Sequence, residues 1–313
     1  MEVYMLEVRN LKKSFGDVVA VDDISFVVPK NCIFGLIGRN GAGKTTTIRM
    51  AINILQPDEG EVLFNGKKID ETFKEILGYL PEERGLYKKM TIWDTIIYFA
   101  ELKGKKAREV EKKAKEYLNT FELIDKKNLK IEALSKGNQQ KVQIITSILH
   151  DPEILILDEP FSGLDPINVN LLRKLIVDFK KQGKTIVLST HIMDLAEKIC
   201  DYIGVIHKGK LLESGQLKSI KEKYGNNQII IYHQDDISFL KNLCFVDKYE
   251  EYGNFTSVRV SNKNFIKDVF QLLAEKNIFV EKFIANEVFL QEIFVELIGS
   301  INQNKNGGYY ENQ

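Results

Sequence analysis

A glycine-rich turn followed by a lysine and two threonines has the clearest chemical potential in this chain. Residues 38–45, GRNGAGKT, fit the pattern GxxxxGK[ST] between a strand-like and a helix-like segment. In such a turn the backbone N–H groups point at phosphates, the lysine reaches the β- and γ-phosphates, and the hydroxyl coordinates Mg²⁺. The pattern therefore predicts nucleotide binding by Gly38, Asn40, Gly41, Ala42, Gly43, Lys44, Thr45 and Thr46.

Two adjacent carboxylates form a second candidate group. Residues 154–157 are ILIL, and Asp158 and Glu159 follow this apolar segment directly. Asp158 fits a residue that orients Mg²⁺ and its water, and Glu159 fits a general base for an attacking water. An apolar strand followed by two acids is common without any function, so its place downstream of Lys44 gives the pair its meaning.

A serine-led segment lies between these two groups. Residues 134–140 read LSKGNQQ, and Ser135 and Gly137 at a helix N-terminus could bind a phosphate. Taken alone, a plain helix cap by Ser135 is the better explanation. With the segments around it, however, this stretch resembles the ABC (ATP-binding cassette) ATPases, whose signature segment LSGGQ occupies this place.

The resemblance extends in order over about residues 3–222 and implies further roles. Ser135 and Gly137 would face the γ-phosphate held by another subunit, and Asp165 would belong to the D-loop, which passes contacts between two nucleotide sites. His191 would be the switch histidine at the γ-phosphate. Phe15 would stack on adenine, and core packing explains this ring equally well on local evidence.

The sequence departs from the family pattern at a few positions. Lys136 and Asn138 replace the usual Gly and Gln of the signature, and Glu82 stands where the family has the Q-loop glutamine. A carboxylate only accepts hydrogen bonds, so we expect Glu82 either to ligate Mg²⁺ with Thr45 and Asp158 or to alter that contact. The segments LPEERGLY and LSKGNQQK resemble those of the ATPase subunits of sodium-extrusion and related ABC-2-type exporters.

Composition limits the partners of the chain. Its 313 residues carry 44 Lys+Arg and 44 Asp+Glu, so no overall field attracts nucleic acid, and we expect no nucleic-acid partner. No run of 18 apolar residues occurs, and the three cysteines form no CxxC pair. Transport would therefore require a separate membrane protein.

The elements that must position these residues alternate between strands and helices, which predicts a parallel sheet. We expect an α/β fold of the P-loop NTPase (ABC ATPase) class with an N-terminal antiparallel β subdomain and an inserted helical subdomain. A small C-terminal α+β domain would follow, for which the order of its elements suggests a split-βαβ arrangement. The predicted domains are the nucleotide-binding domain (1–222, with the helical insertion at about 84–150), the accessory domain (223–301) and a disordered tail (302–313).

Together these features predict an ATPase that uses ATP and Mg²⁺ and drives a separate integral-membrane permease of ABC-2 type, in export. Two nucleotide domains, identical or not, would sandwich the ATP molecules as a homodimer or heterodimer. The chain would be cytoplasmic, on the inner face of the cell membrane through its permease. The alternatives are a regulatory ABC ATPase and one associated with ribosomes or DNA. We expect the accessory domain to stabilise the dimer or to regulate it.

Overall fold

The computed structural model describes residues 4–70, 72–83, 85–225 and 227–306. The chain divides between Ser214 and Gly215 into two compact units. In the part of the chain that the structure describes, none of the helices combines the length and the hydrophobicity that a bilayer crossing requires.

The strands of the first unit form two sheets. In chain order they are β1 (Tyr4–Phe15), β2 (Val18–Pro29), β3 (Ile33–Ile37), β4 (Glu59–Phe64), β5 (Lys67–Lys68), β6 (Leu77–Leu80), β7 (Ile154–Asp158), β8 (Thr185–Thr190), β9 (Tyr202–His207) and β10 (Lys210–Gln216). The helices are α1 (Lys44–Ala51), α2 (Phe73–Ile76), α3 (Ile92–Leu102), α4 (Ala107–Thr120), α5 (Lys136–Ile148), α6 (Pro166–Lys181) and α7 (Met193–Ile199). Short 3₁₀ turns lie at Ile124–Lys126 and Ile131–Ala133.

The N-terminal sheet is antiparallel and has the order β2-β1-β4-β5. Its apolar side chains alternate with polar ones along β1 and β2, as one buried face requires. This confirms the predicted antiparallel β subdomain. β1 continues as far as Phe15, because its pairing with β2 extends past irregularities in register.

The second sheet places the candidate residues at one edge. Its order among the described strands is β10-β9-β3-β8-β7-β6, and β3, β7 and β8 are buried along their whole length. The pairs β3/β8 and β7/β8 are parallel, with Ile37 opposite Thr190 and Asp158 opposite Ser189. Their carboxyl ends therefore meet, and the chain leaves each end into a segment that carries candidate residues.

Three helices, α3 to α5, interrupt this α/β core, as the sequence predicts. The Thr91 side chain caps α3 by accepting from the Asp94 N–H, and Ser135 caps α5 by accepting from the Asn138 N–H. The strand β6 that precedes them was not recognised from the sequence, because its four residues, LGYL, are too few for a periodic pattern.

The second unit is an α+β domain. It contains α8 (Leu217–Gly225), β11 (Gln228–His233), a 3₁₀ turn (Ser238–Asn242), β12 (Val246–Tyr252), β13 (Phe255–Val260), α9 (Phe265–Glu275), β14 (Val280–Ala285) and α10 (Leu290–Asn306). β13 and β14 both run antiparallel to β11, which lies between them. They are therefore parallel to each other and joined through α9, which confirms the split-βαβ order.

The predicted domain limits stay a prediction. The division at Ser214/Gly215 precedes the expected limit at residue 222, and α8 begins in between. α10 continues to Asn306, into the region for which disorder was predicted. Residues 307–313 of the predicted tail lie outside the described residues.

Candidate functional site

The glycine-rich turn connects β3 to α1, and two of its glycines are required by close backbone contacts. A Cβ at Gly38 would collide with the carbonyl oxygen of Ile206. Gly43 has φ 106°, and a Cβ there would lie 2.5 Å from the carbonyl oxygen of Ala20. The turn is thus held between the neighbouring strands in a conformation that leaves its N–H groups at the start of α1.

Lys44, the first residue of α1, turns back over this loop. Its side chain is only 5% exposed, and its Nζ donates to the carbonyl oxygens of Gly38 at 2.9 Å and Arg39 at 3.2 Å. Nζ also lies 3.1 Å from Oε1 of Glu159, an ion pair without hydrogen-bond alignment. The lysine is therefore fixed with its charge at the mouth of the turn.

Oxygen atoms converge around Thr45. Its Oγ1 lies 3.2 Å from Oδ1 of Asp158 and 3.2 Å from Oε2 of Glu82. The hydroxyl has one proton and can donate to only one of these carboxylates at a time. Burial raises the pKa of Asp158, and the nearby charges of Glu82 and Glu159 add to this effect.

Glu159 follows β7 in a left-handed backbone conformation, φ 48°, which is uncommon for a residue with a side chain. Its N–H donates to Oγ of Ser189, and its Oε2 lies 2.9 Å from Nδ1 of His191. The turn after β7 thereby aims the carboxylate between Lys44 on one side and His191 on the other.

A cavity of about 290 Å³ opens beside these residues. Strand β2 contributes an apolar part of its lining, Val18, Val19 and Ala20. The remaining lining residues are Asn40, Gly41, Gly43, Lys44, Thr45, Thr46, Glu82, Glu159, Lys208 and Gly209. A glycine-rich turn with its lysine and a short apolar segment in one lining fit a nucleotide.

Comparison with known proteins identifies the family. The model of the ABC transporter family matches residues 21–162, and that of the C-terminal domain of DrrA1-3-like ATP-binding proteins matches residues 215–298. The uncharacterized ABC transporter ATP-binding protein YhaQ of Bacillus subtilis is 41% identical over 297 residues, which cover 95% of this chain and 99% of the relative. The chain belongs to the family of ABC transporter ATP-binding proteins.

Further comparisons agree with this assignment. The linearmycin resistance ATP-binding protein LnrL of Bacillus subtilis is 30% identical over 306 residues, covering 94% of this ABC ATPase and 98% of the relative. A solved ATP-binding subunit of an ABC transporter matches with a TM-score of 0.66 and 33% identity, covering 71% of this chain and 93% of the other. The predicted fold class and ATPase activity are thereby confirmed. As in the rest of the family, the substrate is ATP, normally with Mg²⁺.

The residues around Thr45 fit a magnesium ion. Mg²⁺ prefers oxygen donors and takes few protein ligands besides nucleotide phosphates. Asp158 Oδ2 is buried without a hydrogen-bond partner among the described residues, and its neighbour Oδ1 shares the Thr45 hydroxyl with Glu82. A cation here would offset the repulsion between two carboxylates that meet at one hydroxyl.

Other predicted site residues lie apart from this cluster. Ser135 and Gly137 are at the start of α5, where a Cβ at Gly137 would lie 3.1 Å from the carbonyl oxygen of Gly163. Asp165 caps α6 by accepting from the N–H groups of Ile167 and Asn168. None of the three lines the cavity among the described residues.

Phe15 ends β1 and also lies outside the cavity lining. Its side chain is 51% exposed, so the alternative of core packing does not hold. The ammonium group of Lys13 lies 5.8 Å from the ring centroid. Stacking of this ring on adenine stays a prediction.

Sequence reasoning missed Ser189 and Lys208. Oγ of Ser189 donates to Oδ1 of Asp158 at 2.5 Å while it accepts from the N–H of Glu159, so one hydroxyl orients both acidic residues. Only the pairing of β7 with β8 reveals this, since serine is common at strand ends. Lys208 has φ 48° in the turn before Gly209 and reaches the cavity from β9.

Proposed function

We propose that this ABC ATPase powers an exporter whose membrane-spanning part is a separate permease of ABC-2 type. The observation that carries the proposal is the contact chain from Lys44 through Glu159 to His191 at the mouth of the glycine-rich turn. The DrrA1-3-like match of the second unit and the resistance protein LnrL among the relatives favour export over the regulatory and ribosome- or DNA-associated alternatives.

In this proposal the cluster hydrolyses ATP. Lys44 neutralises the β- and γ-phosphates, and Thr45, Asp158 and Glu82 hold Mg²⁺, which would supply charge stabilisation on the phosphate oxygens. Glu159 accepts a proton from the attacking water. His191, which contacts the Glu159 carboxylate, senses the γ-phosphate from the end of β8.

We infer that two nucleotide domains close over the ATP molecules. Ser135 and Asp165 are exposed and lie outside the cavity lining, so a second domain would be needed to bring Ser135 to a phosphate. The Ser135 hydroxyl and the free N–H groups at the start of α5 would then contact the γ-phosphate of the opposite subunit. ATP would favour the closed state because those contacts exist only there.

The helical insertion supplies the permease contact in this proposal. Tyr87, Tyr98 and Phe99 form a cluster of aromatic rings, with Tyr87 against both of the others, and Tyr87 is 52% exposed. Leu102 is another exposed apolar side chain on α3. Exposed apolar side chains that gather in one patch mark protein interaction sites, and we infer that Tyr87 and Leu102 belong to such a patch. The permease would hold the chain at the inner face of the cell membrane.

Purification from cells tests this function. Affinity-tagged chain carrying Glu159→Gln, isolated in mild detergent with ATP, should retain a polytopic membrane protein and form a dimer on size exclusion. In an otherwise wild-type chain, Tyr87→Ser should lose the membrane protein while ATP hydrolysis persists. Recovery with ribosomes or DNA instead, and with no membrane protein, would refute the transport role.

A further inference from the structure

Helix α5 carries a buried glutamine that reaches the segment around Glu82. Gln143 is 4% exposed, and its Nε2 donates to the carbonyl oxygens of Pro81 at 3.3 Å and Glu83 at 3.2 Å. These two carbonyl groups stand on either side of Glu82. The glutamine therefore fixes the backbone from which the Glu82 side chain projects.

The Glu82 side chain points in turn at the phosphate-binding turn. Its Oε2 lies 3.2 Å from Oγ1 of Thr45, the hydroxyl that also lies 3.2 Å from Asp158. A rotation of the Glu82 peptide groups would move the carboxylate away from this hydroxyl. No other described residue is hydrogen-bonded to the carboxylate oxygens of Glu82, so no other bond would hold the carboxylate in place. Two hydrogen bonds from one amide oppose that rotation.

The support behind Gln143 is rigid. A Cβ at Gly78 on β6 would collide with the carbonyl oxygen of Ser147, so α5 and β6 are in direct backbone contact. Nε2 of His150, just after α5, bonds the carbonyl oxygen of Leu77 at 3.0 Å. These contacts hold helix α5 against the strand that leads to Glu82, and Gln143 extends them to the residues on either side of Glu82.

We propose that Gln143 is a positioning residue for magnesium–nucleotide binding, acting through Glu82. This inference rests on the proposed function, since it assumes that Glu82 faces the metal of a bound nucleotide. Because α5 begins at Ser135, the same helix that would meet the phosphate of the opposite subunit also sets the metal-facing carboxylate of its own. Groups that orient metal ligands typically change metal affinity by about 10- to 100-fold when removed.

The test compares Gln143→Met, which keeps the side-chain length and removes the donor, with Ser147→Ala. Ser147 is the control, since its buried hydroxyl also donates to a backbone carbonyl oxygen, that of Ile144, on the same helix and outside the segment 134–140. Titration calorimetry would measure binding of the non-hydrolysable analogue AMP-PNP in excess Mg²⁺ and in EDTA. We expect Gln143→Met to weaken binding about tenfold in Mg²⁺ and less than twofold in EDTA. Ser147→Ala should change neither affinity.

A double-mutant cycle separates positioning from general damage. In a Glu82→Ala background, Gln143→Met should cause no further loss of Mg²⁺-dependent affinity. Equal losses in Mg²⁺ and EDTA, or full additivity with Glu82→Ala, would overturn the inference. If the methionine variant does not fold, Gln143→Asn, whose amide is one methylene short of the two carbonyls, should show the same Mg²⁺-specific loss.

Failure of the inference is distinguishable from failure of the proposed function. A wild-type chain that binds AMP-PNP no better with Mg²⁺ than with EDTA would contradict the proposed metal site itself. A wild-type chain with strong Mg²⁺ dependence, matched by an unchanged Gln143→Met variant, would contradict only the role of Gln143.

Discussion

The ammonium group of Lys44 lies 3.1 Å from Oε1 of Glu159, and both side chains are buried. The carboxylate thereby occupies part of the space around the lysine that a γ-phosphate needs. Binding of ATP would replace one anion with another at Lys44 and release Glu159 towards the attacking water. In the proposed reaction the Glu159 carboxylate and the γ-phosphate would therefore compete for Lys44, and Glu159 holds its position from a left-handed backbone conformation, φ 48°.

Replacing Glu159 by Gln should therefore have two opposite effects. Hydrolysis should fall by at least about 10²-fold, because the general base is lost. Affinity for ATP should rise a few-fold, because an amide competes less well than a carboxylate for Lys44. Phosphate release and equilibrium nucleotide binding measure the two quantities. Glu153→Gln, at an exposed position just before β7, is the control, and normal hydrolysis by Glu159→Gln would refute the role of the carboxylate.

Replacing His191 by Ala should lower turnover with little loss of ATP binding. Nδ1 of His191 contacts Oε2 of Glu159 at 2.9 Å, so its removal frees the carboxylate to rotate. We expect a 10- to 100-fold loss of turnover, on the order of the effect of other orienting groups. Measured in the Glu159→Gln background, His191→Ala should cause a much smaller loss. Independent, multiplicative losses would show that His191 does not act through Glu159.

Replacing Ser189 by Ala should affect both stability and catalysis. The change removes a donor from Oδ1 of Asp158 and an acceptor from the N–H of Glu159. A buried polar group left unpaired costs about 1–3 kcal/mol. Urea unfolding should show this loss, and turnover should fall with it. The control Ser147→Ala removes a buried hydroxyl that bonds only within its own helix, to Ile144, and should leave turnover unchanged.

The central sheet could be predicted from sequence because its strands are buried on both faces. In an α/β chain, a short continuous apolar run such as residues 154–157 has few explanations other than a strand that is buried on both faces. The polar strand β10, with the sequence KLLESGQ at the edge of the sheet, gives no such pattern and was missed. Helix α1 ends at Ala51 although the helical apolar spacing continues to Leu55, and Asn53 has φ 57°. Apolar spacing alone did not reveal that stop.

The site residues were predictable where the residue type and its position in a local motif are enough to identify it. Lys44, Thr45, Asp158 and Glu159 were singled out in this way, His191 followed from the family resemblance, and the structure brings the five together. Ser189 and Gln143 act through contacts with other segments, at sequence separations of 31 and 60 or more residues. Serine and glutamine are common residues. Only the tertiary structure shows which serine contacts an acidic side chain and which glutamine contacts the backbone beside one.

A pH-dependent loss of stability is expected from His150. Its Nε2 bonds the carbonyl oxygen of Leu77, while its Nδ1 is buried without a hydrogen-bond partner among the described residues. Burial, reinforced by the charge of Lys103, lowers the pKa of His150 from 6.5 to about 4. Since the folded pKa lies below the unfolded one, the unfolded chain binds more protons between these values. The free energy of unfolding should therefore fall as the pH is lowered from 7.

The variant His150→Gln should lose less stability on acidification, because an amide can still donate to Leu77 but does not titrate. Between pH 7 and 4.5 the wild type should lose about 2.5 kcal/mol more than the variant. Urea unfolding followed by the fluorescence of Trp93, the only tryptophan, reports on the unit that contains α3. Parallel decreases for both proteins would mean that His150 is protonated in the folded state, because only a neutral folded imidazole produces the difference.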